Sequence, residues 1–356
     1  MAKQLLKGNE AIAEAAIQAG CRFFFGYPIT PQNQIPEYMS KRMPQVDGCY
    51  LQAESEVAAI NMVYGAAGAG ARVMTSSSSP GISLKQEGIS YIAGAMLPCV
   101  IVNMVRGGPG LGGIQASQSD YFQATRGGGH GDYRTLVLAP STVQEAVDLT
   151  MEAFDLADQY RIPVLVLGDA VLGQMMEPAE FGNYKMKKRV EPEWATDGTH
   201  GERKPNIINS LYLGAGELEV ANLRLEKLYK EITEQETRAE VYGTEDCEVL
   251  VVAYGTTTRL VNKAIKMAEA EGIKVGVVRP ITLWPYPYDA VYKAATQDSV
   301  KAVLTVEMSL GQMIDDVKIA VKGEKPVEFY GRTGGEIPMS EDIYEVIKKI
   351  ARGGQS

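Results

Sequence analysis

Four short segments of this 356-residue chain carry side chains able to do chemistry. In Tyr27-Pro28-Ile29-Thr30-Pro31, a proline on either side restricts the backbone around Thr30 and holds its hydroxyl in a fixed direction. Such a hydroxyl can bond a ligand, or order a turn before a helix. Glu54-Ser55-Glu56 runs into Val57, Ala58, Ala59 and Ile60. An acid there either meets the positive end of a helix or, walled from water, shares a proton with a ligand. Ser76-Ser77-Ser78-Ser79, followed by Pro80 and Gly81, is a flexible loop or a helix-capping anion site. Arg106 stands at the head of a glycine-rich stretch. It is a surface ion-pair partner, or a planar fork set out for a carboxylate.

Other uses of these residues fail on spacing. Gly108, Gly110 and Gly113 match the G-x-G-x-x-G of dinucleotide sites. However, Ile114-Gln115-Ala116-Ser117-Gln118 opens no periodic apolar helix, and no strand ending in an acid follows at βαβ distance. A Walker loop needs Lys-Ser or Lys-Thr after the glycines, and neither follows. His130 is one of only two histidines, so a histidine-built metal site is not expected and a structural or substrate-neighbouring role is. Cys21, Cys49, Cys99 and Cys247 form no CxxC pair and no cluster pattern. All lie in or beside apolar runs, which makes buried free thiols in a reducing cytoplasm the expectation. Any iron–sulfur centre serving this chain then lies on another.

The chemical segments need a scaffold. Apolar runs at 21–26, 49–53, 72–75, 99–105, 135–139 and 163–167 alternate with helical periodicity at 8–20, 55–70, 82–95 and 141–159. The last of these helices opens with Pro140-Ser141 and has Gln144 three residues on, a capping-box pattern. Residues 1–20 read as an amphipathic helix and not a signal peptide, because Lys3, Lys7, Asn9, Glu10 and Glu14 break the apolar run. Strand–helix alternation implies a parallel sheet covered on both faces. Ligands of such sheets bind outside the carboxyl ends of the strands, and each of the four segments directly follows an expected strand.

From about 168 to 246 the chain is polar and proline-punctuated, with a charged helix at 217–240 that reads as a solvated connector. A second α/β unit follows: a strand at 248–254, the turn Gly255-Thr256-Thr257-Thr258, a helix at 259–271, strands at 274–278 and 302–306, and a closing helix at 343–351. The expected division is 1–180, a connecting segment 181–245, and 246–356. With 45% hydrophobic and 22% charged residues the composition is that of a globular protein. A net charge of −9 without a basic cluster argues against nucleic acid. No apolar run reaches the length of a membrane span, so no membrane role is expected.

Five segments carry a family resemblance: Tyr27-Pro28-Ile29-Thr30-Pro31, Glu54-Ser55-Glu56-Val57-Ala58-Ala59, Arg106-Gly107-Gly108-Pro109-Gly110, His130-Gly131-Asp132 and Arg161-Ile162-Pro163-Val164. They occur in the order seen in α subunits of 2-oxoacid:ferredoxin oxidoreductases, which the chain resembles over nearly its whole length. Residues 249–287, with Gly255, Arg279-Pro280 and Trp284-Pro285, resemble a transketolase C-terminal domain. The fold implied is α/β: a pyrimidine-type thiamine-diphosphate-binding, doubly wound parallel sheet followed by a transketolase C-terminal-like domain. The resemblance makes Tyr27, Pro28, Ile29 and Glu56 cofactor-binding residues, with Glu56 catalytic. Thiamine needs a carboxylic acid near N1′ of its pyrimidine to favour the imino tautomer and help deprotonate the thiazolium carbon. Thr30 and Arg106 match a substrate-bonding threonine and a carboxylate-binding arginine.

The activity implied is coenzyme A-acylating oxidative decarboxylation of a 2-oxo acid, with electrons passed to ferredoxin. The G-D-G motif that holds a magnesium diphosphate is absent, since Gly168-Asp169 is followed by Ala170. The diphosphate and Mg2+ therefore fall to a β subunit, and no metal ligand is expected here. A γ subunit and a ferredoxin-like δ subunit, with the iron–sulfur clusters on partners, would complete a cytoplasmic hetero-oligomer.

Members acting on 2-oxoglutarate continue the arginine loop with Ser-Thr-Gly. Here it reads Gly110-Leu111-Gly112-Gly113-Ile114, which, with Gly127-Gly128-Gly129, resembles the branched-chain (2-oxoisovalerate, or 3-methyl-2-oxobutanoate) members. The loop offers no second basic residue for a distal carboxylate, and Leu111 and Ile114 suit an isopropyl tail. The alternatives are a 2-oxoglutarate enzyme, a non-catalytic assembly subunit, and a transketolase-like transferase independent of ferredoxin. Glu56, Thr30 and Arg106 occurring together stand against the assembly role.

Overall fold

Strands that are apolar at every position belong where a sheet is covered on both faces. The computed structural model describes residues 3–189, 191–199 and 201–353, and the strands at the centres of its two sheets, apolar but for Asn103, are buried at every position. The chain opens with β1 (Gln4–Lys7), α1 (Gly8–Gln18), β2 (Phe23–Gly26), α2 (Gln34–Arg42), β3 (Cys49–Gln52), α3 (Glu56–Gly68), β4 (Val73–Ser77), α4 (Pro80–Gly94) and β5 (Cys99–Val105). It continues through α5 (Tyr121–Thr125), β6 (Leu136–Leu138), α6 (Val143–Tyr160), β7 (Pro163–Asp169), α7 (Ala170–Gln174) and β8 (Met176–Ala179). Then come α8 (Glu217–Glu236), β9 (Ala239–Tyr242), β10 (Val249–Val252), α9 (Thr257–Ala270), β11 (Val275–Pro280) and β12 (Thr282–Trp284). The chain closes with α10 (Tyr288–Ala295), β13 (Ala302–Glu307), α11 (Met313–Val321), β14 (Val327–Gly331) and α12 (Ser340–Ala351).

Among the described residues these strands form a seven-stranded sheet in the order β12-β6-β7-β5-β4-β2-β3 and a five-stranded sheet in the order β14-β13-β10-β11-β9. A separate ribbon joins β1 to β8. The large sheets are parallel except where β12 meets β6 and β9 meets β11. Period-two alternation sorts the cores. On β5, Ile101 and Val105 pack toward α3 and α4, while Val100, Val102 and Met104 pack toward α1 and α6. On β10, Val249 and Val251 face α9 and α12. The other face, with Leu250 and Val252, shares one continuous cluster with Ile101 and Ile82. Each such side chain stabilises the fold by about 1.5–3 kcal/mol on burial, so the two sheets are held together by a common apolar layer. Gln118 crosses between them, donating to the Tyr254 carbonyl at 2.9 Å and accepting from the Met308 amide at 2.9 Å.

Several elements differ from the sequence expectation. The expected helix over 1–20 begins only at Gly8, because residues Gln4–Lys7 pair antiparallel with β8; residues 1 and 2 lie outside the described set. The cap of α6 is Thr142, whose side chain accepts from the Glu145 amide at 3.1 Å. The Glu145 carboxylate in turn accepts from the Ser141 amide at 2.8 Å. The Ser141–Gln144 box is thus displaced by one residue, an acid being the stronger acceptor. The charged helix ends at Glu236, not at 240, because residues Ala239–Tyr242 pair with β11 and become an edge strand of the second sheet. Cys49 is exposed, contrary to expectation, since β3 is the edge of the first sheet. Cys21, Cys99 and Cys247 are buried, and burial pushes the Cys21 and Cys99 thiols up to about 12. Within the described residues no helix is long and apolar enough to cross a membrane.

Candidate active site

The carboxyl ends of β5, β4, β2 and β3 stand side by side in the first sheet. The loops leaving those four strands are the four chemical segments, so topology alone gathers them along the carboxyl edge of the sheet, where ligands of such sheets bind.

Glu56 is the first residue of α3. Its cap is Ser55, whose hydroxyl accepts from the Ala58 amide at 3.2 Å. This turn swings the Glu56 side chain inward, where it is 6% exposed; Glu54 remains in solvent. The carboxylate rests on the first turn of α4. A Cβ built on Gly81 would lie 2.7 Å from Glu56 Oε1 and 2.1 Å from Ser77 Oγ, so no larger residue fits there without moving both. Of the expected apolar walls, Ala59 and Ile60 are buried, but Val57 is exposed, because the helix carries it to another face.

Arg106 follows β5 and is 7% exposed. Its Nη1 donates to the Thr30 carbonyl at 3.0 Å and its Nη2 to the Leu111 carbonyl at 3.0 Å. Nε is buried without a partner. The guanidinium therefore fastens the Thr30 loop to the glycine loop and keeps unused donors for an anion. The Thr30 side chain is exposed, and its hydroxyl accepts from Asn33 Nδ2 at 3.4 Å, leaving its own hydrogen to donate. Tyr27, Pro28 and Ile29 lie on the same loop. Buried Gln32 anchors it, its side chain donating to the Tyr27 carbonyl at 3.3 Å and its amide to the Ile29 carbonyl at 3.1 Å.

The glycine loop is a closed excursion. Arg106 bridges Ala116, the Gly107 amide donates to the Gln115 carbonyl at 3.1 Å, and Gly113 returns to the Gly107 carbonyl at 2.9 Å. Gly112, at φ 64°, is wedged where a Cβ would come 1.8 Å from that carbonyl. No helix opens at Gly113, and the next, α5, starts only at Tyr121 and spans five residues, in keeping with the rejection of a dinucleotide motif. The excursion carries Leu111 and Ile114 outward, 83% and 56% exposed, so within this chain they line no wall.

The first turn of α4 ties the pieces together. Its cap, Ser79, sits at φ 24°, an unfavourable value for a serine. The Ser79 hydroxyl accepts from the Arg106 amide at 3.0 Å, and the Ser79 amide donates to Asn103 Oδ1 at 3.2 Å. Asn103 Nδ2 donates to Asp120 at 2.9 Å; burial pushes that acid up, and the bonds from Asn103 and Ser79 oppose it. Ser77 Oγ and Ser78 Oγ are buried without partners.

The sequence expectation missed Lys85, which is fully buried on α4. Its Nζ donates to Thr75 Oγ1 at 2.7 Å and to the Ser76 carbonyl at 2.9 Å. Burial pushes the ammonium down to about 7, against the pull of the Glu56 charge. The available signal was its place on the apolar stripe of Ile82, Ile89 and Ile92. Asn9 and Gln32, which hold the Thr30 loop through Pro31 and Tyr27, left no pattern signal. His130 is exposed near the far end of α4, edge-on to Tyr91 with ring centroids 6.0 Å apart, and does not join that edge. The other histidine, residue 200, lies outside the described residues.

A buried carboxyl and an orphaned hydroxyl against Gly81, with an unpartnered guanidinium Nε on the loop after β5, suit a polar ring and an acidic substrate. With the strand order, they define an α/β protein that gathers buried, partly unpartnered polar groups at the carboxyl edge of its first sheet. The model of the pyruvate flavodoxin/ferredoxin oxidoreductase thiamine diphosphate-binding family matches residues 14–242, and that of the pyruvate:ferredoxin oxidoreductase core domain II matches 247–343. A ketoisovalerate oxidoreductase subunit VorB of Methanothermobacter thermautotrophicus is 51% identical over 99% of this chain and 99% of its own. A 2-oxoglutarate synthase subunit KorA of Methanocaldococcus jannaschii is 36% identical over 98% of this chain and 100% of its own. Among solved structures, a 2-oxoglutarate:ferredoxin oxidoreductase from Magnetococcus marinus with 2-oxoglutarate, coenzyme A and succinyl-CoA bound superposes with a TM-score of 0.87 at 26% identity. That match covers 98% of this chain and 65% of the other. An inactive split gene transketolase, TM-score 0.61 at 17% identity over 98% and 99% of the two chains, shares the fold alone. The chain belongs to the 2-oxoacid:ferredoxin oxidoreductase family, as a subunit of the α type.

Proposed function

We propose that this chain is the α subunit of a complex that decarboxylates 2-oxoisovalerate (3-methyl-2-oxobutanoate) oxidatively, transfers the acyl group to coenzyme A and passes the electrons to ferredoxin. The observation that carries the proposal is the convergence of the buried Glu56 carboxyl with the Arg106–Thr30 pair at adjacent strand ends. Thiamine diphosphate, when bound, supplies a carbon nucleophile and a sink for the electrons left as carbon dioxide departs. Glu56 would hold a proton against N1′ of the pyrimidine, on a loop side that Tyr27, Pro28 and Ile29 would border. Arg106 would take the substrate carboxylate through Nε and the hydrogens its carbonyl partners leave free. The Thr30 hydroxyl would bond the substrate beside it.

The branched-chain assignment is supported by the 51% identical relative named for ketoisovalerate. Leu111 and Ile114 enter it as a surface that a β subunit closes into an apolar wall. The β subunit would also hold the diphosphate and Mg2+, and γ and δ subunits the iron–sulfur clusters; the scattered cysteines of this chain suit that division. The division into a domain 1–180, a connecting segment 181–245 and a domain 246–356, and a cytoplasmic location, belong to the same proposal. 2-Oxoglutarate is the second reading, favoured by the substrate held in the Magnetococcus structure. The test is kcat/KM of the reconstituted complex for 2-oxoisovalerate, pyruvate and 2-oxoglutarate, with and without Glu56→Gln. A preference for 2-oxoisovalerate and a loss of about two to four orders of magnitude on Glu56→Gln are expected. A preference for 2-oxoglutarate overturns the substrate, and near-normal turnover of the variant overturns the role of Glu56.

A further inference from the structure

A lysine with no exposed surface is rare unless its charge is used. Lys85 is fully buried, and no ion pair joins it among the described residues. Its two acceptors, Thr75 Oγ1 at 2.7 Å and the Ser76 carbonyl at 2.9 Å, both lie in the second half of β4, from its midpoint on. They satisfy both N–H groups of a neutral amine, and the ammonium keeps one more. Thr75 is itself fixed, its hydroxyl donating to the Phe25 carbonyl at 2.6 Å. The nitrogen thus has a rigid seat in either protonation state.

The seat lies one helical turn from the residue that Glu56 meets. Residues four apart share a helix face, and Gly81, one turn before Lys85, is the residue on which Glu56 Oε1 rests. Glu56 is the charged group whose field reaches Lys85. Ser76 and Ser77, which bond Lys85 and border Gly81 respectively, complete a short polar strip between the two.

We propose that Lys85 is a positioning residue that acts through Glu56, setting the potential in which the Glu56 carboxyl shares a proton with the bound cofactor. The inference rests on the role assigned to Glu56 above. A positive charge seated one turn away makes protonation of that carboxyl harder, and removing it makes protonation easier. The hydrogen bonds of Lys85 are all to Thr75 and Ser76 of its own chain, so its effect should fall on the proton and not on binding.

Two measurements test this. In the reconstituted complex, Lys85→Met should lower kcat by about tenfold to a hundredfold, the reach of one nearby charge, with KM for the oxo acid little changed. In a Glu56→Gln background the same substitution should cause no further loss, since a residue acting through another is silent once that partner is gone. The second readout needs no cofactor. In infrared spectra of the full chain, the protonated-carboxyl band that vanishes in Glu56→Gln should be stronger in Lys85→Met than in the wild type at the same pH. Lys85→Gln, which keeps a donor for Thr75 or Ser76 without the charge, should behave like Lys85→Met and guards against a packing defect. Equal losses in both backgrounds, or an unchanged infrared band, overturn the proposal. Normal turnover in Glu56→Gln alone would instead remove the catalytic role of Glu56, while the infrared comparison still decides whether Lys85 acts on it.

Discussion

Replacing Gly81 by alanine adds a single methyl group between Ser77 and Glu56. The new Cβ would stand 2.1 Å from Ser77 Oγ and 2.7 Å from Glu56 Oε1. Ordinary contact lies at about 3.5 Å, so the hydroxyl must retreat by about 1.4 Å and the carboxylate oxygen by about 0.8 Å. Both atoms end rotatable side chains, and each off-rotamer adjustment costs about 0.5–1.5 kcal/mol. Alanine returns about 0.8–1.0 kcal/mol of helix propensity over glycine, so net stability should move by only about 1 kcal/mol. The displacement of Glu56 is different in kind, because a misplacement of about 1 Å can cost about a hundredfold in rate. Gly81→Ala should therefore melt near the wild type yet turn over about 10- to 100-fold more slowly. Gly88→Ala supplies the contrast. Its Cβ would press 2.5 Å from Ile60 Cγ2 and 2.7 Å from Ile60 Cγ1, in a core that has nowhere to yield. That variant should lose about 1–3 kcal/mol of stability and keep its turnover per folded molecule. Thermal melts of the chain and kcat of the reconstituted complex check both. Wild-type kcat in Gly81→Ala would refute the placement of the working carboxyl against α4.

Arg106→Lys should cost about 1.5–3 kcal/mol in kcat/KM on every 2-oxo acid, with thiamine diphosphate affinity held; one ammonium cannot span the Thr30 and Leu111 carbonyls and a carboxylate as well. Equal values on all substrates for variant and wild type would remove the anion role. A pH signature attends Lys85, whose ammonium is pushed by burial from 10.5 down to about 7. Above about pH 7 the native lysine releases its proton while the unfolded chain keeps one, so stability rises with pH by up to about 1.4 kcal/mol per unit. Denaturant unfolding of the wild type compared with Lys85→Met between pH 7 and 9 should show this slope in the difference, and a flat difference would contradict it.

The centre of the first sheet was legible because β5 and β7 are long and buried on both faces: Cys99–Val105 forms a strand over the residues read from sequence. Glu56, Thr30 and Arg106 could be located because the loops leaving β3, β2 and β5 carry them; the roles given to them belong to the proposal. β9 and β12 were not, since each is short and pairs antiparallel with a strand distant in sequence, where periodicity carries no information. Lys85 escaped because helical spacing marks which face is inward, not what a cation there is for. Leu111 and Ile114 were read as a substrate wall from residue type, but an excursion closed by Arg106 and Ala116 turns them to solvent. Chain geometry, not hydrophobicity, decides that.

The crossing of β12 back to β6 limits how this polypeptide can be divided. Cutting the gene between 242 and 247, where the two family models part, would produce a first fragment whose outer strand shows a bare row of amides and carbonyls. Such an edge recruits any passing strand. It would also strip Leu283 and its neighbours from the shared apolar layer. The halves would have to be made together and meet before either aggregates. A fusion or circular permutation should therefore open the chain elsewhere, in the exposed stretch ahead of α8.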